Sequence, residues 1–406
     1  MGSSVTRPSI DLLSPAFYGD LDGMHEAFTW MRANDPLHQC EHSGFFAVTR
    51  HADVLDVEHR DAVFSSNASY RSVQNPGEDN MIAQDDPAHL AQRRLVARRF
   101  TPKAVRELEP VLSRMIGGLL TGIVADVEPG ERGTMEAVNA VAAALPAQLT
   151  AHLLGFPEEI WPDIKSWSER LMRYDAVPHD PAALNGFLAA IGEFVEVLHA
   201  TAAERRACPA DDLITVWVQG EANGCPMDDS KLVNETGLII SGGAETTRTV
   251  IARSLVAFAD HPDQWEALDA DPSLIPGAVE EMIRWVTPLN NMFRVATADT
   301  TVAGVPIRAG DRMALLYPSA NRDETVFDDP FTFDIRRTPN PQIAFGFGTH
   351  FCLGASLARL ELRLLMERLV AAITDLEVLA PPDIEPNIFV GAVRSLELGF
   401  RRRPPA

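Results

Sequence analysis

Apolar residues recur at spacings of three and four through most of the chain, from about residue 21 to residue 379. That period matches one face of an α-helix. It is clearest at residues 108–124, 184–203 and 353–373. Short clusters such as Asn75-Pro76-Gly77, Glu128-Pro129-Gly130 and Pro339-Asn340-Pro341 fall between these runs and predict loops. Strand signals are few. Residues 44–49 are rich in aromatic and β-branched types, and residues 294–316 alternate well enough for short strands and tight turns. A second small sheet is expected from residues 388–400. No repeat or low-complexity tract interrupts the pattern. The expected fold class is mainly α with a minor β region, in a single domain spanning residues 1–406.

One predicted helix is exceptional. Asp228, Asp229 and Ser230 are good N-caps, and the apolar pattern runs from there to His261-Pro262. That is roughly 30 residues, or about 45 Å of helix. Its centre reads Ser241-Gly242-Gly243-Ala244-Glu245-Thr246-Thr247. Two glycines and two threonines are poor helix formers gathered at one place. Either the backbone opens or approaches something closely there, or small residues mark a helix crossing.

Of the 406 residues, 46% are hydrophobic and 23% charged, which is ample for a core and excludes a mainly disordered chain. Lys and Arg total 35 against 57 Asp and Glu, a formal charge of -22. So acidic a surface repels nucleic acid and anionic lipid, and neither is expected as a partner. Cys40, Cys208, Cys225 and Cys352 form no C-x-x-C pair. That argues against a structural zinc or dithiol site and for reduced thiols in a cytoplasmic protein. The N-terminal stretch has no apolar run that reads as a signal peptide or membrane anchor. Gly2 and Thr6 do fit a short, common myristoylation pattern.

The chemistry concentrates at Phe345-Gly346-Phe347-Gly348-Thr349-His350-Phe351-Cys352-Leu353-Gly354. A cysteine follows a glycine-rich turn and precedes an amphipathic helix. Backbone N–H groups and the positive end of the helix dipole stabilise a thiolate there. Gly348 and Gly354 let the chain approach a flat ligand without Cβ clashes. A thiolate held this way suits ligation of haem iron. A lone cysteine is more often buried and structural, but the spacing of Phe345, Gly348, Cys352 and Gly354 argues against that.

On these residues the chain resembles the cytochrome P450 superfamily, whose haem-binding pattern F-x-x-G-x-x-x-C-x-G it matches at every fixed position. The resemblance extends in order over essentially the whole chain. It implies a triangular helical prism with the long central helix over haem b (iron protoporphyrin IX). It makes Cys352 the axial thiolate and metal ligand, with Phe345 against the sulfur side of the ring and Gly346 and Gly354 in the same cofactor loop. Glu281 and Arg284 share a helix face. They resemble the family's E-x-x-R pair, with Arg337 as the third member of a structural triad and Arg336 as its close competitor.

Gly243-Ala244-Glu245-Thr246-Thr247 resembles the acid–alcohol signature, which implies that Glu245 and Thr246 act beside the distal face. A hydroxyl can steady an oxygen there, and a carboxylate can relay protons through water. The bland alternative is a threonine bonded back to the preceding turn and a glutamate on a solvated face. Haem carries two carboxylates and needs cationic partners. His89 and Arg93, four apart on one helix face, with Arg294 and His350, match the family's propionate-binding positions.

Basic residues crowd at Arg93, Arg94, Arg98, Arg99 and Lys103, and again at Arg359 and Arg363. They form either a docking patch for a small acidic ferredoxin or a solvated basic face. No flavin or NAD fingerprint is present, so the resemblance implies electrons from a ferredoxin and a ferredoxin reductase. Substrate walls are expected near residues 65–84 and 161–188, the latter with Trp161, Trp167 and Tyr174. Further walls fall at Leu238 and Gly242 and at Leu289, Asn291 and Met292, with Phe389 and Val390 closing the set. Residues 278–362 look closest to actinobacterial members that oxidise sterol side chains and branched lipids. The implied activity is insertion of one oxygen atom from O2 into a C–H bond of a hydrophobic small molecule, such as a sterol side chain, fatty acid or terpenoid, by a monomer. A peroxide-driven peroxygenase and a non-catalytic haem or lipid carrier are the alternatives. Glu245-Thr246 stands against both, and Cys352 against the carrier.

Overall fold

The computed structural model describes residues 10–404 except 41, 42, 68, 223 and 224, and leaves out the side chains of 221–226. Gly2, Thr6 and the Cys225 side chain lie outside the described part. The exceptional helix spans Asp229–Asp260, capped by the Asp228 carboxylate, which accepts from the Lys231 N–H at 2.8 Å. Helices Ala144–Leu154, Trp161–Met172 and Ile275–Val286 pack around it. The other three periodic stretches form Glu109–Val124, Pro181–Ala207 and Ala355–Ala372. Buried leucines, isoleucines and phenylalanines of these helices make one continuous core. Among the described residues, Pro181–Ala207 is the one helix long and apolar enough to cross a membrane. It packs along Trp161–Met172 and Leu213–Gln219.

The two central glycines serve different needs. A Cβ on Gly243 would lie 2.9 Å from Thr150 Oγ1 on Ala144–Leu154, so that position is a close helix crossing. A Cβ on Gly242 would meet nothing within 4 Å, because that position faces a cavity. The crossing reading holds at Gly243, whereas at Gly242 the helix runs on unbroken and the missing side chain leaves room in the cavity.

Thr300–Val302 and Val305–Ile307 pair separately as a hairpin, whereas strands from residues 44–49 and from both ends of 294–316 come together in one five-stranded sheet. Its order is Leu37–Gln39, Phe46–Val48, Arg312–Leu315, Met292–Ala296, Phe64–Ser65. Phe46–Val48 runs parallel to Arg312–Leu315, and the other pairs are antiparallel. Residues 388–400 do not form a single sheet. Val393–Ser395 pairs with Asp383–Ile384, whereas Glu397–Arg402 is the middle strand between Ile373–Val378 and Arg132–Glu136. The division falls at Leu396. Its carbonyl accepts from the Ala137 N–H and its N–H donates to the Glu136 carboxylate, which turns the chain from one sheet into the other.

Candidate active site

The cysteine loop is a tight, glycine-dependent turn. The Cys352 N–H donates to Phe345 O at 2.9 Å and the Gly346 N–H to Ile343 O at 2.9 Å. Gly346 and Gly348 have φ of 68° and 69°, a conformation that favours glycine. Gly348 also has no room for a side chain, because a Cβ would lie 2.7 Å from Glu58 O. Gly354 has an ordinary φ of -83°; its Cβ would sit 4.0 Å from Cys352 Sγ. Cys352 opens onto the cavity. Burial raises its thiol pKa, while the N–H groups of Gly354 and Ala355 and the charges of Arg93 and Arg359 pull it back. Those N–H groups lie at the start of helix Ala355–Ala372, where the dipole favours an anion. Arg359 lies 4.6 Å over the Phe345 ring and is held by Glu280 at 2.5 and 3.0 Å. Part of the basic crowd is therefore used internally. Arg99 pairs with Asp211, and Arg363 with Glu367 and Glu109.

The cavity has about 1740 Å³ of empty space, counting its solvent-open part. His89, Arg93, Arg294 and His350 all line it. The rings of His89 and His350 lie 4.3 Å apart. Arg93 Nη2 donates to Phe351 O at 2.5 Å, and Arg294 stands 3.8 Å from Glu58 Oε1. His89 Nδ1 faces Asp86 Oδ1 at 3.0 Å, which leaves Nε2 buried with no partner among the described residues. Burial, and then the charges of Arg294, His89 and Arg93, push His350 down to about 2. Both acids on the cavity wall are pushed up by burial, Glu58 to about 7 and Glu361 to about 8. This end of the cavity is short of negative charge. A cation cluster, an orphaned imidazole nitrogen and a thiol facing the same space fit haem b with its two propionates.

Glu281 binds Arg284 through two contacts of 2.7 Å and Arg337 Nε at 3.2 Å. Arg337, and not the exposed Arg336, is the third member. Arg284 also donates to Asn321 O and Pro330 O, so the cluster ties helix Ile275–Val286 to the segment before the cysteine loop.

The acid–alcohol residues separate. Thr246 lines the cavity, with its hydroxyl donating to Gly242 O at 2.8 Å. Glu245 does not line it. Its carboxylate lies 3.2 Å from Arg248 Nη1 and 3.3 Å from Ser168 Oγ, and Oε1 has no partner. Successive helix residues point about 100° apart, and Arg248 and Ser168 hold the Glu245 side chain away from the cavity. Glu245 is 2% exposed, and burial raises its pKa against the opposing charge of Arg248. Its place is thus neither beside the cavity, as expected, nor on a solvated face.

Leu238, Gly242, Leu289, Met292 and Phe389 line the cavity as expected. Asn291 and Val390 do not. Asn291 turns away to donate to Ile388 O at 2.9 Å, and Val390 bridges Leu289 and packs into the small core behind it. Trp167 is core, its indole donating to Glu193 at 2.8 Å. The expected wall at residues 65–84 supplies Tyr70, Arg71, Met81 and Ile82, but sequence reasoning did not single out Arg71 and missed Glu58. Arg71 reaches its partner Asp175 across 104 residues, so no local signal could have revealed it.

The cytochrome P450 family model matches residues 182–387. A steroid C26-monooxygenase of Mycolicibacterium smegmatis is 40% identical over 407 aligned positions, covering 100% of this chain and 99% of that protein. A steroid C26-monooxygenase of Mycobacterium tuberculosis is 39% identical, covering 98% of each. Among solved structures, the Mycobacterium marinum cytochrome P450 CYP268A2 in complex with pseudoionone superimposes with a TM-score of 0.88 at 31% identity, covering 98% of this chain and 100% of that one. CYP109E1 from Bacillus megaterium in complex with testosterone gives 0.85 at 27% identity, covering 95% and 98%.

Proposed function

Because the chain belongs to the cytochrome P450 family and is a monooxygenase with haem b as cofactor, we propose that it oxidises the side chain of a steroid at its terminal carbon, with electrons from a ferredoxin and ferredoxin reductase. The observation that carries this reading is the whole-length likeness to steroid C26-monooxygenases. A cavity whose wall beyond the cations is mainly apolar supports it.

Cys352 would hold the iron, and His89, Arg93, Arg294 and His350 the propionates. The bound haem supplies activation of O2 for insertion of one oxygen atom into a C–H bond. The chain's residues do the rest. Leu238, Leu289, Met292 and Phe389 keep bulk water out and offer the substrate an apolar wall. Thr246 Oγ1 presents a hydroxyl to the cavity by exchanging its bond to Gly242 O. Glu245, its pKa raised by burial, stands behind the helix and reaches the cavity only by leaving Arg248 and Ser168. The basic residues that keep exposed charge near the cysteine side offer an acidic redox partner a docking surface.

The test is titration and turnover of cholest-4-en-3-one by the ferric holoenzyme with a purified ferredoxin and its reductase. A saturable Soret shift toward high spin and a product carrying one added oxygen on the terminal side-chain carbon are expected. Absence of both removes the steroid reading. In the same assay, Thr246→Ala is expected to bind equally but to lose several-fold in product per electron, with the difference appearing as peroxide. Unchanged coupling removes the role given to Thr246.

A further inference from the structure

One buried guanidinium in the cavity wall has no part in holding haem or moving protons. Arg71 is 6% exposed and lines the cavity on the side built from Tyr70, Met172 and Phe389. These residues lie on elements separate from the cysteine loop. Arg71 Nη1 donates to Asp175 Oδ2 at 2.9 Å, and Nε to the Tyr70 hydroxyl at 3.2 Å. Among the described residues Nη2 meets only Met172 Sδ, at 3.9 Å, and a thioether is a weak acceptor. The group cannot swing away. It lies 4.2 Å over the Phe389 ring, and Asp175 is itself fixed by the Ser72 N–H at 3.0 Å and the Ser72 hydroxyl at 2.5 Å. A buried donor left without an acceptor is costly until one arrives.

The surrounding charges narrow what that acceptor can be. Asp175 neutralises Arg71, and Glu78 lies just behind, accepting from the Tyr70 hydroxyl. Arg312 donates to the Arg71 and Ser72 carbonyls, so two cations face two anions, and a carboxylate headgroup would leave a poorly solvated site with excess negative charge. An alcohol needs an acceptor for its own proton, and both Asp175 oxygens and Glu78 Oε1 already have donors. A neutral carbonyl needs donors only. We propose that Arg71 Nη2 docks a neutral carbonyl oxygen at one end of an elongated apolar substrate, so that the hydrocarbon end is presented to Cys352 and Thr246. This rests on the reading that the cavity binds an oxidisable lipid, and it narrows that class to ketones over the matching alcohols and acids.

The test compares matched ligands by Soret titration of the holoenzyme. The steroid set is cholest-4-en-3-one, cholesterol and cholest-4-ene. The acyclic pair is 6,10,14-trimethylpentadecan-2-one and 2,6,10,14-tetramethylpentadecane. The wild type is expected to bind each ketone at least about tenfold more tightly than its hydrocarbon, and the steroid ketone more tightly than cholesterol. Arg71→Met combined with Asp175→Asn, which removes both members of the ion pair together, is expected to bring the ketones down to the hydrocarbons and leave the hydrocarbons unchanged. If that variant takes up no haem, Arg71→Lys, which keeps the charge and loses the fork, is expected to lose most of the preference. A ketone preference that survives the substitution, or none in the wild type, overturns the inference. Flat steroid titrations with an Arg71-dependent preference in the acyclic pair remove the steroid reading and leave Arg71 its role. No response to either ketone overturns both.

Discussion

Glu361 is the least satisfied acid in the cavity wall. It is 2% exposed, Oε1 has no partner, and burial alone pushes its pKa from 4.5 to about 8. The folded chain therefore holds a proton there that the unfolded chain releases above about pH 4.5. Stability falls as pH rises from about 4.5 through about 8 and is then level. Buried Glu58 and Glu235, pushed up to about 7 and about 8, act in the same direction. Each tenfold gain in proton affinity on folding corresponds to about 1.4 kcal/mol. Glu361→Gln removes one such penalty, so its melting temperature should exceed the wild type's by a few degrees at pH 8 and match it at pH 5. Thermal melts at the two pH values check this; an equal change at both would place the effect elsewhere.

At the scale of elements, the cysteine loop is held by its fit to helix His51–His59. The Glu58 carbonyl of that helix fills the space where a Gly348 side chain would go, and Glu58 Oε1 would lie 3.2 Å from a Gly346 Cβ. Gly348→Ala adds a backbone clash to a left-handed conformation that itself costs about 1–2 kcal/mol. Faster transfer of haem to apomyoglobin is expected from that variant than from Gly118→Ala, on the exposed side of Glu109–Val124, whose new methyl meets open space. Equal transfer rates would contradict the fit. The spacing of Phe345, Gly348 and Cys352 was legible in the sequence because it is local. So were helices Glu109–Val124 and Ala355–Ala372, whose apolar period is internal to each. The role of Glu58 was not, since nothing in His51–His59 says which loop it meets. The turning of Glu245 away from the cavity was hidden for a related reason. Its direction depends on Ser168, 77 residues away on Trp161–Met172, as well as on its near neighbour Arg248.

Across the whole molecule, the Glu281 cluster fastens the helical part to the loop that carries the cysteine. Arg284 is fully buried and Arg337 nearly so. Glu281→Ala leaves two guanidinium groups without their shared carboxylate. Breaking a buried pair in this way costs about 3–5 kcal/mol, against a total stability of about 5–15 kcal/mol. Little soluble haem protein is expected from that variant, and its denaturation midpoint should drop sharply. Glu281→Gln, which keeps the shape and some acceptor capacity, should fall between. A wild-type midpoint for Glu281→Ala would show that the cluster is dispensable. The pair Glu281–Arg284 could be read from spacing, and Arg337 only with Arg336 beside it, because backbone geometry decides which of two adjacent arginines turns inward.

The parallel strand pair sets a clock on synthesis. Phe46–Val48 must wait for Arg312–Leu315, which leaves the ribosome about 270 residues later. At about 5–20 residues per second that is roughly 15–55 seconds. Until then the apolar edge formed by Phe46 and Val48 has no inner neighbour, and such an edge readily recruits other chains. A ribosome that stalls before Arg312 releases a polypeptide whose Phe46–Val48 strand, joined on one side to Leu37–Gln39, can find a second neighbour only in a stranger.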